Sequence, residues 1–288
     1  MYDAIFLDMD GTLLNAEKTI TETTRNILST LKRMGIEIIL ISGRSNKSME
    51  YVVHNRINIT EPIVQYIIST DGTMIKDIVN HKIIYQNSLD NCTIKDMQMV
   101  AQSFDTAFYI FTECHMYRGN RICEEQTIVD NWYLNGEFYQ IPDSLNELPL
   151  TDIDWCQEKV NRILFFSRDL DRLQAIYEKL QGEKNIAMKF EKNYHDYQLL
   201  LVSKPYSKAL GVKLMCDYLN IPMQRTIAFG DADNDIEMLA CVGRGIMMKN
   251  AICDLGVVEQ THFTNREDGV AFHLKQLLEK GVFSKKKG

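Results

Sequence analysis

Two aspartates separated by a single residue follow an apolar run near the start of the chain. The run is residues 4–7, and Asp8-Met9-Asp10-Gly11-Thr12 comes directly after it. Side chains i and i+2 of a strand share a face, so Asp8 and Asp10 can approach one substrate, while Gly11 lets the chain turn. A carboxylate can attack phosphorus, and a second can exchange protons with the leaving oxygen and with water. We therefore predict a nucleophile, Asp8, beside an acid and base, Asp10, although an Asp-Gly pair alone also fits an ordinary turn.

Other polar segments stand where an apolar run ends or a helix-like segment begins. They are Ser42-Gly43-Arg44 after residues 36–41, Thr70-Asp71-Gly72-Thr73 after residues 63–69, Ser207-Lys208 at the start of a helical pattern, and Gly230-Asp231-Ala232-Asp233-Asn234-Asp235 after residues 226–229. In a doubly wound sheet, ligands bind beyond the carboxyl ends of the strands, which is where Asp8, Ser42 and Asp231 fall.

The elements that must position these residues alternate between strand and helix. Residues 19–35 have apolar side chains at helical spacing, and the run at 36–41 is typical of a strand covered on both faces. Near the other end, a helical pattern that begins at Ser207 and stops before Pro222 precedes the strand-like residues 226–229. This alternation predicts an α/β fold, with a Rossmann-like doubly wound parallel sheet.

The distance between Ser42 and Lys208 is far longer than two strand-helix-strand repeats require, which predicts an inserted domain. We place an α/β insertion at residues 81–195 and the core at residues 1–80 and 196–288. The insertion is rich in aromatic residues and contains a strand-like segment at 162–166 and a helix-like segment at 170–180.

Composition narrows the class of protein. The 288 residues are 45% hydrophobic and 25% charged, which is typical of a soluble globular chain and long enough for two domains. A net charge of −7 opposes non-specific binding to nucleic acid. The seven cysteines form no Cys-x-x-Cys pair, and no run approaches the ~20 apolar residues of a membrane span. We expect a cytoplasmic protein with free thiols, bound neither to a membrane nor to an obligate protein partner.

In this order, the segments resemble the motifs of the haloacid dehalogenase superfamily of phosphotransferases, in particular the Cof-type hydrolases of subfamily IIB. The first motif corresponds to residues 8–12, the second to Ser42, the third to Lys208 and the fourth to residues 230–235. Members of this group carry an α/β cap of the C2 type between the second and third motifs, so the resemblance implies that the insertion is such a cap.

The resemblance implies a Mg²⁺ site and a covalent mechanism. Asp8 and Asp231 would bind the metal through their carboxylates and Asp10 through its backbone carbonyl, which leaves the Asp10 side chain free for acid and base chemistry. Mg²⁺ suits a site of few carboxylates that also binds phosphate oxygens. Dehalogenases lack the acid at Asp10, so a phosphatase or a phosphomutase is favoured.

Further residues are assigned to the substrate by the same resemblance. Ser42, Gly43 and Lys208 would bind the phosphate oxygens, and Asp235 would orient Lys208 or water on the metal. Each of these residues also has an ordinary structural interpretation. Ser42 and Gly43 fit a plain turn, Lys208 fits a solvated residue in the first turn of a helix, and Asp235 fits an acid favoured by the helix dipole.

Three residues are candidate substrate contacts, namely Arg44, Asp71 and Asn234. The chain departs from the family pattern at two positions, because relatives commonly have asparagine at Asp71 and glycine at Ala209. The extra negative charge at Asp71 would lie close to the substrate entrance, so the substrate preference stays open.

The cap is expected to close over the site and to set specificity. Candidate residues are those at 113–118 and 193–196, with Arg121, Arg162 and Arg168 as further cations.

We predict a Mg²⁺-dependent phosphatase of a small phosphorylated metabolite, with sugar phosphates favoured. Alternatives are a phosphosugar mutase, which needs a second phosphate site in the cap, and a phosphometabolite-binding protein without turnover. A kinase is disfavoured because the chain has no Gly-x-x-x-x-Gly-Lys-Ser/Thr loop.

Overall fold

A computed structural model of the chain describes residues 1–113, 115–118, 145–146, 158–193, 196–251 and 259–284. Contacts divide the chain into two compact units. The first unit comprises Met1–Arg44, Met49–Tyr85 and Ser207–Gly288, and the second comprises Ser45–Ser48 and Gln86–Tyr206. The assignment of residues 1–80 and 196–288 to a catalytic core, and of 81–195 to a cap, stays a prediction.

The strands and helices of the described residues are numbered along the chain. The strands are β1 (Ala4–Asp8), β2 (Glu37–Ile41), β3 (Tyr66–Ser69), β4 (Met74–Asp77), β5 (Lys82–Gln86), β6 (Ala107–Thr112), β7 (Met116–Arg118), β8 (Leu145–Asn146), β9 (Val160–Ser167), β10 (Ile186–Asn193), β11 (Asp196–Ser203), β12 (Thr226–Gly230), β13 (Arg244–Met247) and β14 (Glu259–Gln260). The α-helices are α1 (Glu22–Arg33), α2 (Asn46–Val52), α3 (Asn91–Ser103), α4 (Leu170–Leu180), α5 (Lys208–Leu219), α6 (Ile236–Cys241) and α7 (Gly269–Glu279). Shorter helical turns are Val53–Ile57, Thr70–Gly72, Met223–Arg225, Asp233–Asp235 and Asn265–Glu267.

The sheet of the first unit has the strand order β14-β13-β12-β1-β2-β3-β4-β5. The strands from β14 to β3 run parallel, and β4 pairs antiparallel with β3. Because β1 lies between β2 and β12, the order along the sheet reverses on either side of β1. Ligands of such sheets bind at this switch point, beyond the carboxyl ends of the strands.

Apolar residues cover both faces of this sheet. On one face, strand residues such as Leu7 and Leu40 pack in one cluster with Leu28 of α1 and Leu274 of α7. On the other, Phe6 and its neighbours in the sheet pack with α5 and α6. Burial on both faces explains why the strands read as continuous apolar runs. The predicted doubly wound α/β core is confirmed.

Local signals fix the start and end of α5, which carries Lys208 in its first turn. The Ser207 hydroxyl accepts a hydrogen bond from the N–H of Leu210 (3.1 Å), an N-terminal cap. The helix ends at Leu219, and the capping residue that follows it, Asn220, has a left-handed φ of 54°. Lys208 therefore has a defined position at the start of the helix.

The second unit contains a sheet with the order β10-β11-β9-β6-β7-β8, in which the described pairings are antiparallel except that of β7 with β8. Side chains of α3 and α4, including Ile94 and Leu173, form one cluster with strand residues such as Ile110, Phe165 and Leu199. The predicted strand at 162–166 lies within β9, and the helix predicted at 170–180 coincides with α4.

Two sequence expectations concern features outside the sheets. Of the cysteines in the described ranges, Cys92, Cys216 and Cys241 are free thiols. None of the helices described above combines the length and the apolar character that a membrane crossing needs.

Candidate active site

A buried lysine connects two of the predicted acidic residues. The Nζ atom of Lys208 lies 2.6 Å from Oδ1 of Asp8, at the end of β1, and 2.6 Å from Oδ1 of Asp235. The side chains of Lys208 and Asp235 are 1% and 0% exposed. A buried charge is tolerated only when it is paired and hydrogen-bonded, and this lysine has two carboxylate partners.

Asp235 also holds the loop after β12 in place. Its Oδ2 accepts hydrogen bonds from the backbone N–H groups of Asp231 (3.0 Å) and Ala232 (3.1 Å). One carboxylate therefore fixes both the ammonium of Lys208 and the backbone that carries Asp231. This agrees with the predicted orienting role of Asp235, although the role itself stays a prediction.

Asp231 lies against the turn that follows β1. Thr12 donates its hydroxyl hydrogen to Oδ1 of Asp231 (2.9 Å). Gly11 has a φ of 80°, and a Cβ atom there would overlap the Asp231 carboxylate. Glycine is thus required at residue 11 for both its backbone conformation and the close approach of the acid.

The three carboxylates Asp8, Asp231 and Asp235 form one cluster, each with an oxygen within 4.8 Å of the others. Burial and the neighbouring acids, opposed by Lys208, raise the pKa of Asp8 well above its usual value. Burial and Asp235 raise the pKa of Asp231 to about 6, against the hydrogen bond from Thr12.

The cluster therefore has more acidic groups than the single ammonium of Lys208 neutralises. Burial disfavours the charge on Lys208, but the carboxylates of Asp8 and Asp235 outweigh burial and raise its pKa. A hard divalent cation would relieve the remaining repulsion, and an oxygen donor set at a strand end fits Mg²⁺. The residues present are compatible with the predicted metal.

Asp10 has the opposite environment. Its carboxylate contacts Nε (2.5 Å) and Nη2 (2.7 Å) of Arg44, and Nζ of Lys18 lies 2.6 Å from its Oδ1. Burial alone would raise the pKa of Asp10, but the hydrogen bonds and charges of Arg44 and Lys18 lower it to about 2. Arg44 is buried (5% exposed), whereas Lys18 is 39% exposed. Arg44, a candidate substrate contact, thus contacts Asp10 in this structure.

Ser42 and Gly43 form a turn after β2 that contacts the loop after β3. The Ser42 hydroxyl accepts a hydrogen bond from the N–H of Arg44 (3.2 Å), and the Ser42 carbonyl accepts one from the N–H of Asp71 (3.1 Å). Asn234 donates a side-chain hydrogen bond to Oδ1 of Asp71 (2.9 Å). The two candidate substrate contacts Asp71 and Asn234 are therefore hydrogen-bonded to each other.

All ten residues of the predicted site lie in the first unit, and the structure joins them in connected groups through the contacts above. Two residues that contact the acids of the site were not singled out in the sequence, Thr12, which contacts Asp231, and Lys18, which contacts Asp10. Thr12 belongs to the quoted pentapeptide and was available as a hydroxyl donor, whereas nothing in the pattern around Lys18 distinguishes it from a surface lysine.

The predicted cap residues are only partly described. Cys114, Arg121, Tyr194 and His195 lie outside the described residues. Arg162 stacks on the ring of Phe111, with 4.2 Å between its guanidinium carbon and the ring centroid. The Tyr117 hydroxyl lies 3.3 Å from Nδ1 of His115 and donates to Glu158 (3.1 Å). These contacts assign no substrate group to the cap.

Comparison with known proteins places the chain in a family. The model of the haloacid dehalogenase-like hydrolases matches residues 5–274. The 5-amino-6-(5-phospho-D-ribitylamino)uracil phosphatase YitU of Bacillus subtilis (strain 168) is 27% identical over 281 residues, covering 94% of this chain and 96% of that protein. Phosphatase YwpJ of the same strain is 27% identical over 299 residues, covering 95% and 99%.

A solved structure supports the same relationship. A haloacid dehalogenase-like hydrolase from Bacteroides thetaiotaomicron aligns with a TM-score of 0.79 and 25% identity, covering 96% of this chain and 100% of that chain. The family match extends over most of the sequence, from the first residues of β1 to α7. The chain therefore belongs to the haloacid dehalogenase-like hydrolases.

Proposed function

We propose that the protein is a Mg²⁺-dependent phosphatase that hydrolyses a small phosphorylated metabolite through a phosphoryl group carried on Asp8. The observation that carries this proposal is the cluster of Asp8, Asp231 and Asp235 around Lys208 at the switch point of the sheet. Two relatives named as phosphatases support it. The name of YitU describes a phosphate on a ribityl chain, which favours phosphorylated sugars and sugar alcohols as the first substrates to test.

Asp8 and Asp231 would hold the metal through their carboxylates, and Asp10 through its backbone carbonyl. A bound Mg²⁺ supplies charge neutralisation for the phosphoryl oxygens, which lets an anionic nucleophile approach phosphorus. The raised pKa values of Asp8 and Asp231 are the support for this assignment, because both indicate a place where a further positive charge stabilises the ionised acids.

The nucleophilic step belongs to Asp8. One carboxylate oxygen forms a bond to phosphorus while the bond from phosphorus to the ester oxygen breaks. The ammonium of Lys208 and the hydroxyl of Ser42, with the backbone of Gly43, stabilise the charge on the non-bridging oxygens. Asp235 keeps Lys208 in position through the contact of 2.6 Å.

Asp10 carries the protons. The leaving oxygen takes a proton from the Asp10 carboxyl group. The Asp10 carboxylate then takes a proton from the water that attacks phosphorus, while the bond from phosphorus to the Asp8 oxygen breaks and inorganic phosphate is released. In its contacts with Arg44 and Lys18, Asp10 is ionised and ready for the second step. To act as the acid, its carboxylate must first lose one of these two cationic partners and gain a proton.

The test is phosphate release from a panel of sugar phosphates, nucleotides and pyridoxal phosphate, with Mg²⁺ and then with chelator. Asp8→Asn deletes the nucleophile and a metal ligand, so we expect turnover to fall about 10³-fold or more. The matched control is Asp217→Asn, an exposed acid in α5, which should leave turnover unchanged. Near-normal hydrolysis by Asp8→Asn would refute the covalent mechanism. Isomerised product with little free phosphate would instead indicate the mutase.

A further inference from the structure

Asp71 is an acidic residue that the proposed chemistry does not use. Its backbone N–H donates to the carbonyl of Ser42 (3.1 Å). Its carboxylate packs on Gly43, where a Cβ atom would lie 3.2 Å from Oδ2 of Asp71. The acid is therefore in contact with the turn that is proposed to bind the phosphate.

One of the two carboxylate oxygens of Asp71 accepts no hydrogen bond from the described residues. Oδ1 accepts the hydrogen bond from Asn234 (2.9 Å), whereas Oδ2 accepts none from any residue that the structure describes. Asp10 differs in this respect, because Arg44 contacts both of its carboxylate oxygens. Asp71 is half-buried, so its second oxygen is available to a molecule bound in the site.

The backbone fixes this carboxylate in place. Thr70 and Asp71 have φ values of 50° and 49°, both in the left-handed region, and Gly72 follows with a φ of 98°. Aspartate and asparagine tolerate this conformation better than most residues. The short turn Thr70–Gly72 therefore fixes the backbone that carries the acid, and the hydrogen bond from Asn234 restrains its carboxylate.

Only one part of a phosphorylated substrate can satisfy this oxygen. A phosphate dianion has acceptor oxygens and no donor, so it is repelled by a carboxylate. The leaving group is the part that can carry a hydroxyl or an ammonium group as a donor. A second anionic group on the leaving group would instead add a repulsion in a half-buried place, where charges are screened less than in water.

We propose that Asp71 is a specificity-determining residue, which favours phosphate monoesters whose leaving group presents an ammonium or hydroxyl group and rejects those with a second anionic group. This inference rests on the proposed phosphatase function. It assigns a substrate class to that site, namely monophosphates with a neutral or cationic remainder.

The test uses three probes that share a phosphate ester at C6 of a six-carbon sugar or sugar acid and that differ in the charge of the remainder. These are glucosamine 6-phosphate, glucose 6-phosphate and 6-phosphogluconate, compared at about pH 7, where the amine is protonated. We expect kcat/KM of the native protein to decrease in that order. In Asp71→Asn the ratio between the first and the last probe should fall about tenfold, because the variant loses the charge.

Asp71→Asn is a suitable variant because asparagine tolerates the left-handed backbone and retains an oxygen for Asn234. Asp217→Asn is the matched control. It removes one negative charge from the same unit, nine residues along α5 from Lys208 and so about 14 Å away, and should leave the ratio unchanged. A second readout needs no variant, since added salt should reduce the ratio of the native protein.

The outcomes separate the inference from the function on which it rests. Asp8-dependent phosphate release with an equal ratio in the native protein and Asp71→Asn would overturn the inference alone. A native protein that prefers 6-phosphogluconate would overturn it too. If no phosphate release depends on Asp8, the proposed function is wrong, and the inference falls with it.

Discussion

Asp8 and Asp10 are two residues apart in the chain, yet their surroundings have opposite charge balance. Around Asp8, three carboxylates lie within 4.8 Å of one another, and Lys208 is the ammonium that contacts two of them. Around Asp10, one carboxylate contacts two cationic side chains, those of Arg44 and Lys18. Correspondingly, the pKa of Asp8 is raised and that of Asp10 is lowered to about 2.

The difference indicates how one strand end can serve two chemical tasks. The acidic cluster at Asp8 is short of positive charge, which is the condition for recruiting a metal ion and then a phosphoryl group. The cationic surroundings of Asp10 keep its side chain ionised. A nucleophile and a proton carrier therefore need not differ in residue type, because their partners make the distinction.

Among the variants that test the difference between Asp8 and Asp10, we expect the largest effect from Lys208→Met. The substitution leaves the buried carboxylates of Asp8 and Asp235 without their ammonium partner. We expect the free energy of unfolding to fall by about 3 to 5 kcal/mol in the presence of chelator, the cost of breaking a buried ion pair. Urea denaturation measures this change. Turnover should fall about 10²- to 10³-fold, because the variant lacks the group that we propose stabilises the transferring phosphoryl oxygens.

The control is Lys213→Met, which removes an exposed lysine of the same helix, α5. Its effect on unfolding should stay within about 0.5 kcal/mol. Equal stabilities of Lys208→Met and Lys213→Met would mean that the acids at Asp8 and Asp235 are protonated without the lysine. The charge deficit at Asp8 would then not exist.

The next test concerns the cationic residues that contact Asp10. Arg44→Gln removes the buried partner that contacts both carboxylate oxygens of Asp10. We expect kcat to fall about 10- to 100-fold, the range for residues that orient a functional group. The pKa of Asp10 should also rise, so the acidic limb of the pH–rate profile should move to higher pH. A residue with only a structural role would lower stability without moving that limb.

Two further variants serve as comparisons for Arg44→Gln. Lys18→Gln should have a smaller effect, because Lys18 is 39% exposed and its charge is screened by solvent. Arg33→Gln, at an exposed arginine of α1, should leave both kcat and the profile unchanged. A rise in kcat of Arg44→Gln would show that Arg44 restrains the acid step instead of positioning Asp10.

Local patterns in the sequence were sufficient to predict where the strands of the first unit end. Apolar runs that stop at Asp8, Ser42 and Asp231 predict a parallel sheet, and such a sheet brings its carboxyl ends together whatever the intervening chain does. The core architecture followed from this rule. The resemblance then identified Lys208, which composition and spacing alone leave as an ordinary helix residue.

Pairings between distant residues could not be predicted in this way. Thr12 and Asp231 are 219 positions apart, and Asn234 and Asp71 are 163 apart, so no local pattern records either contact. The contact of Lys18 with Asp10 was also not predictable, although the two residues are only eight positions apart, because a turn brings them together. The sequence thus predicted which acids share a site better than which cations each acid contacts.

The smallest effect we predict is a pH dependence of stability in the metal-free protein. The pKa of Asp231 is raised to about 6 in the folded chain, above its ordinary value of 3.8. The contribution of a raised carboxyl pKa is fully present below pH 3.8 and is lost as the pH rises through about 6. We expect a loss of about 1 to 2 kcal/mol over that window, reduced from the full shift because Asp231 is only half-buried.

For Asp10 we expect stability to change with pH in the opposite direction and at lower pH. The same measurement therefore distinguishes the acidic cluster around Asp8 from the cationic surroundings of Asp10. Its lowered pKa contributes stability above the ordinary value of 3.8, and this contribution is lost as the pH falls through about 2. Thermal denaturation in chelator between about pH 4 and pH 7 therefore reports on the two acids with raised pKa values, Asp231 and Asp8, and not on Asp10. Asp231→Asn should reduce the slope of stability against pH, because it removes one titrating acid and its repulsion with the others. Saturating Mg²⁺ should reduce the slope in the native protein for the same reason. A slope in Asp231→Asn equal to that of the native protein would assign the titration to another acid of the cluster and contradict the raised pKa of Asp231.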